Sequence, residues 1–181
     1  VEMTQQSWFS TQYLQARIPV LNQEVQTAAQ LQFDNVVNAA AYLNGDDNAK
    51  QAILAGVVPV PAAGDEVEAR FQILVTGAMT PIVARITAQT QFNDLGGAPG
   101  AAAYAGLDDN AKHDALTAAA AVAVVAGDLA QQHLQQVLVP AALGIVNADI
   151  NMAAQQQFDA LTVNDMNYVN GDDQAKHNAL T

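Results

Sequence analysis

The chain has 181 residues, of which 51% are apolar, enough to bury a core in one large domain or two small ones. Its 18 acidic and 6 basic residues leave a net charge of -12, which repels phosphate backbones and anionic lipid headgroups and argues against nucleic acid or acidic membrane as partners. The absence of cysteine rules out disulfides and thiol catalysis, and 3 histidines without cysteine leave the usual zinc sites short of ligands.

Only 13% of residues are charged, while 20 Gln and 13 Asn supply much of the polar surface. Soluble proteins ordinarily carry about a quarter charged residues, so neutral amides are expected to solvate this exterior. The sequence opens at Val1 with no basic, apolar leader, as in a mature chain whose signal has been removed or an excised piece. No Asn-x-Ser/Thr acceptor occurs.

The first distinctive stretch is Gln5-Gln6-Ser7-Trp8-Phe9-Ser10. Aromatics there ordinarily fold back onto their own core; the sharper alternative makes Trp8 and Phe9 an anchor into a neighbouring molecule, since buried aromatics dominate interface energetics. Next, Leu14, Ile18, Leu21, Val25 and Ala28 step by 4, 3, 4 and 3, an apolar helical stripe interrupted by Pro19. Gln32-Phe33-Asp34 follows, then a short helix carrying Tyr42 and ending at Asn44-Gly45, where glycine would take the left-handed C′ conformation. Asp46 suits the N-cap of a third helix and Asp47 its first position, where negative charge favours the helix dipole. Lys50 lies one turn on, and the helix is expected to stop at Gly56 before the extended Val57-Val58-Pro59-Val60-Pro61.

The same order then recurs. Phe71, Val75, Ala78, Ile82 and Ile86 form the second stripe, around Pro81. A proline inside a helix costs about 3 kcal/mol and kinks it, so its recurrence predicts a required bend; the alternative is that Thr80-Pro81 caps and starts a fresh helix. Gln91-Phe92-Asn93 follows, then Gly96-Gly97-Ala98-Pro99-Gly100, read as a flexible insertion that shortens the helix carrying Tyr104. Asp108, Asp109 and Lys112 open the third helix, expected to run through Ala126 to Gly127. Its apolar stretch Ala115 to Ala126 reads as a buried helix, well short of the roughly 20 residues a bilayer span needs.

The third passage brings Leu134, Leu138, Ala141 and Ile145 around Pro140, then Gln157-Phe158-Asp159, Tyr168, Asn170-Gly171, Asp172, Asp173 and Lys176. Here the third helix is barely launched at Thr181. The first Asp of each pair recurs at offsets of 62 and 64 residues. Proline to phenylalanine is 14, 11 and 18 residues, and at about 100° per residue these return within roughly 40° of one helix face. The expected fold is therefore all-α: tandem units of 62–64 residues with three helices each, the first kinked at proline, in an elongated bundle or solenoid. Units are expected at 1–63, 64–126 and 127–181, the last truncated, in one continuous folded body.

No constellation for catalysis emerges. The Asp pairs lack the spread of six to eight oxygens and the terminal Glu of a calcium loop, so capping is their expected role. His113 and His177 would share helix faces with Asp109 and Asp173, but the first passage has Gln51 there, which speaks for supportive i, i+4 pairs over a metal or acid–base site. No Glu-x-x-His pair, nucleophile elbow, phosphate loop or dinucleotide fingerprint occurs. No catalytic residue, cofactor or metal is expected.

The sequence thus predicts a non-enzymatic, self-associating structural protein: an extracellular filament, surface layer or virion-type component at the cell surface or outside it. A head-to-tail contact between copies would propagate. No nucleic acid and no membrane span are expected. The alternative is a helical carrier binding a small apolar ligand between bent helices, where proline bends and Ala-rich faces would open cavities lined by Met79 and Met152.

Overall fold

The computed structural model describes residues 13–58 and 61–180, and these are helical with no strand among them. Trp8 and Phe9 lie outside the described residues. The chain divides into two compact units, 1–86 and 87–181, whose boundary does not coincide with the sequence units 1–63, 64–126 and 127–181.

In the first unit, helix α1 (Leu14–Val37) carries Pro19 in its interior and buries Ala29 near its end. Helix α2 (Ala40–Leu43) holds Tyr42, and α3 (Asp47–Val57) buries Leu54. Helix α4 (Glu66–Asn93) begins with Glu66 and Glu68 in its first turn, where their charge complements the helix dipole, and the Asp65 carboxylate accepts the Glu68 N–H at 3.0 Å. Phe71, Val75 and Ile82 of α4 pack with Ala29 and Leu54 into one buried cluster, bordered by Phe33, Val36, Tyr42 and Val57. These apolar positions on α4 repeat at helical spacing, which is why a helix with so few charges has a defined inner face.

The second unit takes over at Thr87, so its core begins with Ala88 and the half-buried Phe92 near the end of α4. A glycine-rich loop leads to a short 3-10 turn (Ala103–Gly106) holding Tyr104, then α5 (Asp109–Ala120) buries Leu116 and Ala119. A long helical run follows: α6 (Leu129–His133), a π segment (Leu134–Leu138), α7 (Val139–Asp159) and a second π segment (Ala160–Asn164). Leu134, Val139 and Val146 of this run close on Ala88, Leu116 and Ala119. Helices α8 (Met166–Asn170) and α9 (Asp173–Leu180) complete the described chain.

The three recurring prolines, Pro19, Pro81 and Pro140, lie within continuous helical runs. The Thr80 hydroxyl donates to the Thr76 carbonyl at 2.9 Å, an in-helix back-bond that places Thr80 mid-helix and corrects the alternative in which it caps a new helix. Pro140 is the second residue after the π segment Leu134–Leu138. A π turn loosens the ladder where proline cannot donate, one of the few devices by which a helix accommodates that residue.

The structure revises three local expectations. Helix α5 ends at Ala120, and Val122, Val124 and Val125 are exposed instead of lying in a buried helix that reaches Ala126. β-Branched residues disfavour continuation, and Gln side chains take over the backbone there. The Gln135 amide donates to the Ala119 and Val122 carbonyls, while Gln131 donates to Ala123 O and accepts from Val125 N–H at 2.8 Å. Gly45 is absent from the positive-φ positions; it is needed for close approach instead, since a Cβ there would lie 2.8 Å from the Ala41 carbonyl oxygen. The Gly96–Gly100 insertion is tied to one carboxylate: Asp94 accepts from Gly100 N–H at 2.6 Å and Ala102 N–H at 2.9 Å.

Two described helical stretches, Glu66–Asn93 of 28 residues and Leu129–Val163 of 35, are long and apolar enough to cross a membrane by length and composition. The expectation of no span rested on the Ala115–Ala126 stretch, and the longer candidates are the two runs whose inner faces line the cores.

Candidate functional site

The thrice-written motif is the chemistry-bearing feature to be placed. Asp46 has extended backbone (φ -70°, ψ 179°) and its Oδ1 accepts the Ala49 N–H at 2.8 Å; Asp108 (φ -69°, ψ 170°) does the same for Ala111 at 2.8 Å, and Asp172 for Ala175 at 2.9 Å. In each case the carboxylate satisfies one of the orphan donors of a helix start and puts negative charge at the positive end of the dipole. Asp47, Asp109 and Asp173 occupy the first helical turns.

The residues around each pair are used differently. Asp47 is gripped by Arg85 of α4, whose Nε and Nη2 donate to the two carboxylate oxygens at 2.8 and 2.7 Å. This fork-to-fork geometry, with the two side chains about a third exposed, pins α3 to α4. It also raises the Arg85 pKa, the hydrogen bond to Asp47 outweighing the opposing effect of burial. Lys50 lies over the Tyr42 ring, its Nζ 5.8 Å from the centroid, within cation–π range. In the second passage Lys112 Nζ approaches Asp109 Oδ1 at 3.4 Å. Tyr104 stacks obliquely on Phe92, centroids 4.7 Å apart, and burial pushes its phenol pKa up, with Lys112 opposing. Tyr168 and Lys176 of the third passage are half-buried.

One repeated contact escaped the sequence reading. Gln30 donates to Asp34 at 2.8 Å, Gln89 to Asn93 at 3.0 Å and Gln155 to Asp159 at 2.8 Å, each an i, i+4 amide bond spanning the phenylalanine. The signal was there to be found, because the motif is not Gln-Phe alone but Gln-x-Gln-Phe-(Asp/Asn). The caps Asp65 and Asp128 were likewise legible in Asp-x-x-Glu and Asp-x-x-Gln, the spacing of a capping box. The Asp47–Arg85 pair was not, since its partners are 38 residues apart.

Chemically, the motif anchors helices. Asp46, Asp108 and Asp172 each commit an oxygen to the backbone, and Asp47 commits both to Arg85. Among the described residues no three His, Asp or Glu side chains gather in a group able to hold a metal ion. His113 contacts its neighbour Asp114, Nδ1 to Oδ1 3.6 Å, in place of the expected i, i+4 partner Asp109.

Grooves occur among the described residues of the first unit. One of about 230 Å³ is bordered by Gln26, Ala29, Arg70 and Leu74, and another runs beside Leu21, Val25 and Ala63–Val67. Met79 packs against the first core and Met152 is 58% exposed. Comparison with known protein families, with curated proteins and with solved structures gives no match.

Proposed function

We propose that this protein is a non-enzymatic structural component built from tandem three-helix units that self-associates, at the cell surface or outside the cell. The observation that carries the reading is that two separate cores draw on the same positions of the repeat. Four residues before the phenylalanine stands a buried alanine, Ala29 in one core and Ala88 in the other; three residues after it comes Val36 or Leu95. The tyrosine borders both cores as Tyr42 and Tyr104, and eight residues after the capping aspartate stands a leucine with no exposure, Leu54 or Leu116.

The covering helix corresponds as well. Phe71, Val75, Ala78 and Ile82 close the first core; Leu134, Val139, Ala142 and Val146 close the second. The offset is 63 residues at the first of these and 64 at the other three, and the added residue falls in the π segment Leu134–Leu138. This supports a repeat whose unit is completed by the helix that opens the following one, which accounts for compact bodies out of phase with 1–63 and 64–126. Such units bury their apolar faces against neighbours, and the exposed apolar residues of α1 and of the third passage favour association. The amide-rich, cysteine-free surface suits packed assembly, and Asp46, Asp108 and Asp172 are engaged in capping helix starts while Asp47 holds Arg85.

Sedimentation equilibrium of the full chain across micromolar to near-millimolar concentration tests this reading. Mass rising with concentration is expected; a strict monomer throughout would remove self-association.

A further inference from the structure

The third passage repeats the local structure of the first two but not their burial. Its Gln155–Asp159 bond and Asp172 cap match those at Gln30–Asp34 and Asp46. Yet Phe158 is 49% exposed and Leu161 40%, whereas their counterparts Phe33, Val36, Phe92 and Leu95 are packed against cores. Ala154, four residues before Phe158, is also exposed, where Ala29 and Ala88 are at most 1% exposed. A second unmatched surface lies on α1. Leu14, Ile18 and Leu21 are 41%, 54% and 48% exposed, and with Val25 they step by 4, 3 and 4, the spacing of Phe71, Val75, Ala78 and Ile82 on the helix that covers the first core.

We infer that the face formed by Ala154, Phe158 and Leu161 receives the Leu14–Ile18–Leu21–Val25 stripe of a second copy of this chain. The inference rests on the self-association reading and names its surface. What fits this face is given twice within the chain: in both cores the corresponding alanine, phenylalanine and aliphatic residue are covered by an apolar stripe on a proline-bearing helical run, stepping by 4, 3 and 4 on α4 and by 5, 3 and 4 where the π segment adds a residue. The interface between copies is thus a third instance of a packing mode the sequence already specifies. Helix α1 contributes one such stripe and the third passage one such face, so each copy carries both halves of a heterologous contact, which propagates from copy to copy.

Complementation of two full-length variants provides the test. Ile18→Glu spoils the stripe and leaves the face; Phe158→Glu does the reverse. Both sites are about half exposed, so the fold should persist, checked by unchanged circular dichroism and melting. Ile73→Glu, at a 61% exposed site on α4 outside the proposed contact, controls for the added charge and should assemble like the wild type. Each test variant alone is expected to weaken assembly by at least about 30-fold, as for removal of a buried interface anchor. Their mixture should form a one-to-one dimer that does not grow.

If the wild type assembles but either variant assembles equally well, or the mixture stays monomeric, this docking is overturned while self-association stands. A monomeric wild type overturns both. Flotation of the wild type with phosphatidylcholine vesicles, abolished by the same two substitutions, would make lipid the occupant and overturn the inference.

Discussion

Truncating the two fully buried leucines is the sharpest probe of the cores. Leu54 and Leu116 both have 0% exposure, each at the centre of its own cluster. Leu→Ala removes three carbons, worth about 2.4 kcal/mol at ~0.8 kcal/mol per methylene. The cavity left behind adds roughly 1–2 kcal/mol, giving an expected loss of about 3–4 kcal/mol at either site. Against a typical total of roughly 5–15 kcal/mol this is a large fraction, and at about 4–8 °C per kcal/mol it lowers Tm by roughly 10–30 °C in a body of this size. Ile73→Ala supplies the contrast: it lies on α4 two residues from the fully buried Val75 but is 61% exposed, so its cost should stay within about 0.5 kcal/mol. Urea unfolding followed by circular dichroism, with the m-value checked for constancy, measures all three. A loss under about 1 kcal/mol for either leucine, or an Ile73 cost equal to theirs, would refute the assignment of these cores.

Replacing the capping aspartates Asp46 or Asp108 by alanine should cost about 1 kcal/mol each in the same unfolding assay, and asparagine should restore most of it, because the oxygen and not the charge makes the bond. A double-mutant cycle on Asp47 and Arg85 should give a coupling of about 0.5–1 kcal/mol, modest because both side chains are about a third exposed and falling as salt is added. Arg85→Lys should retain less than half of that coupling, since an ammonium cannot make the two-pronged contact. Asp94 has its pKa held below the ordinary 3.8 by backbone N–H donors from Gly100 and Ala102. Its contribution to stability is therefore present above that value and lost as pH falls through the depressed one. The stability gap between wild type and Asp94→Ala should shrink on acidification below about pH 4, and a carboxyl titration by NMR should place Asp94 below the exposed aspartates.

Local features were readable from the residues. Aspartate followed by aspartate, a small amide and alanine specifies a helix start whatever surrounds it, because the cap is closed within three residues. Stripes at spacings of three and four identify helices, and the recurrence of Gln-Phe, Tyr and Asp-Asp required only the sequence. The side on which each stripe finds its partner was decided by tertiary structure. The shared Gln-x-Gln-Phe-(Asp/Asn) motif does not distinguish Phe158 from Phe33 or Phe92, yet one is exposed and two are packed. Burial depends on whether a later helix arrives over the phenylalanine, and the residues that cover it are 38 to 49 positions further along for Phe33 and 42 to 54 for Phe92. The Asp47–Arg85 clasp, the π turn before Pro140 and the Gln131 and Gln135 side chains that hold the end of α5 arise in the same way. The clasp joins groups 38 residues apart and the Gln135 contacts groups 13 and 16 apart, separations over which periodicity carries no information.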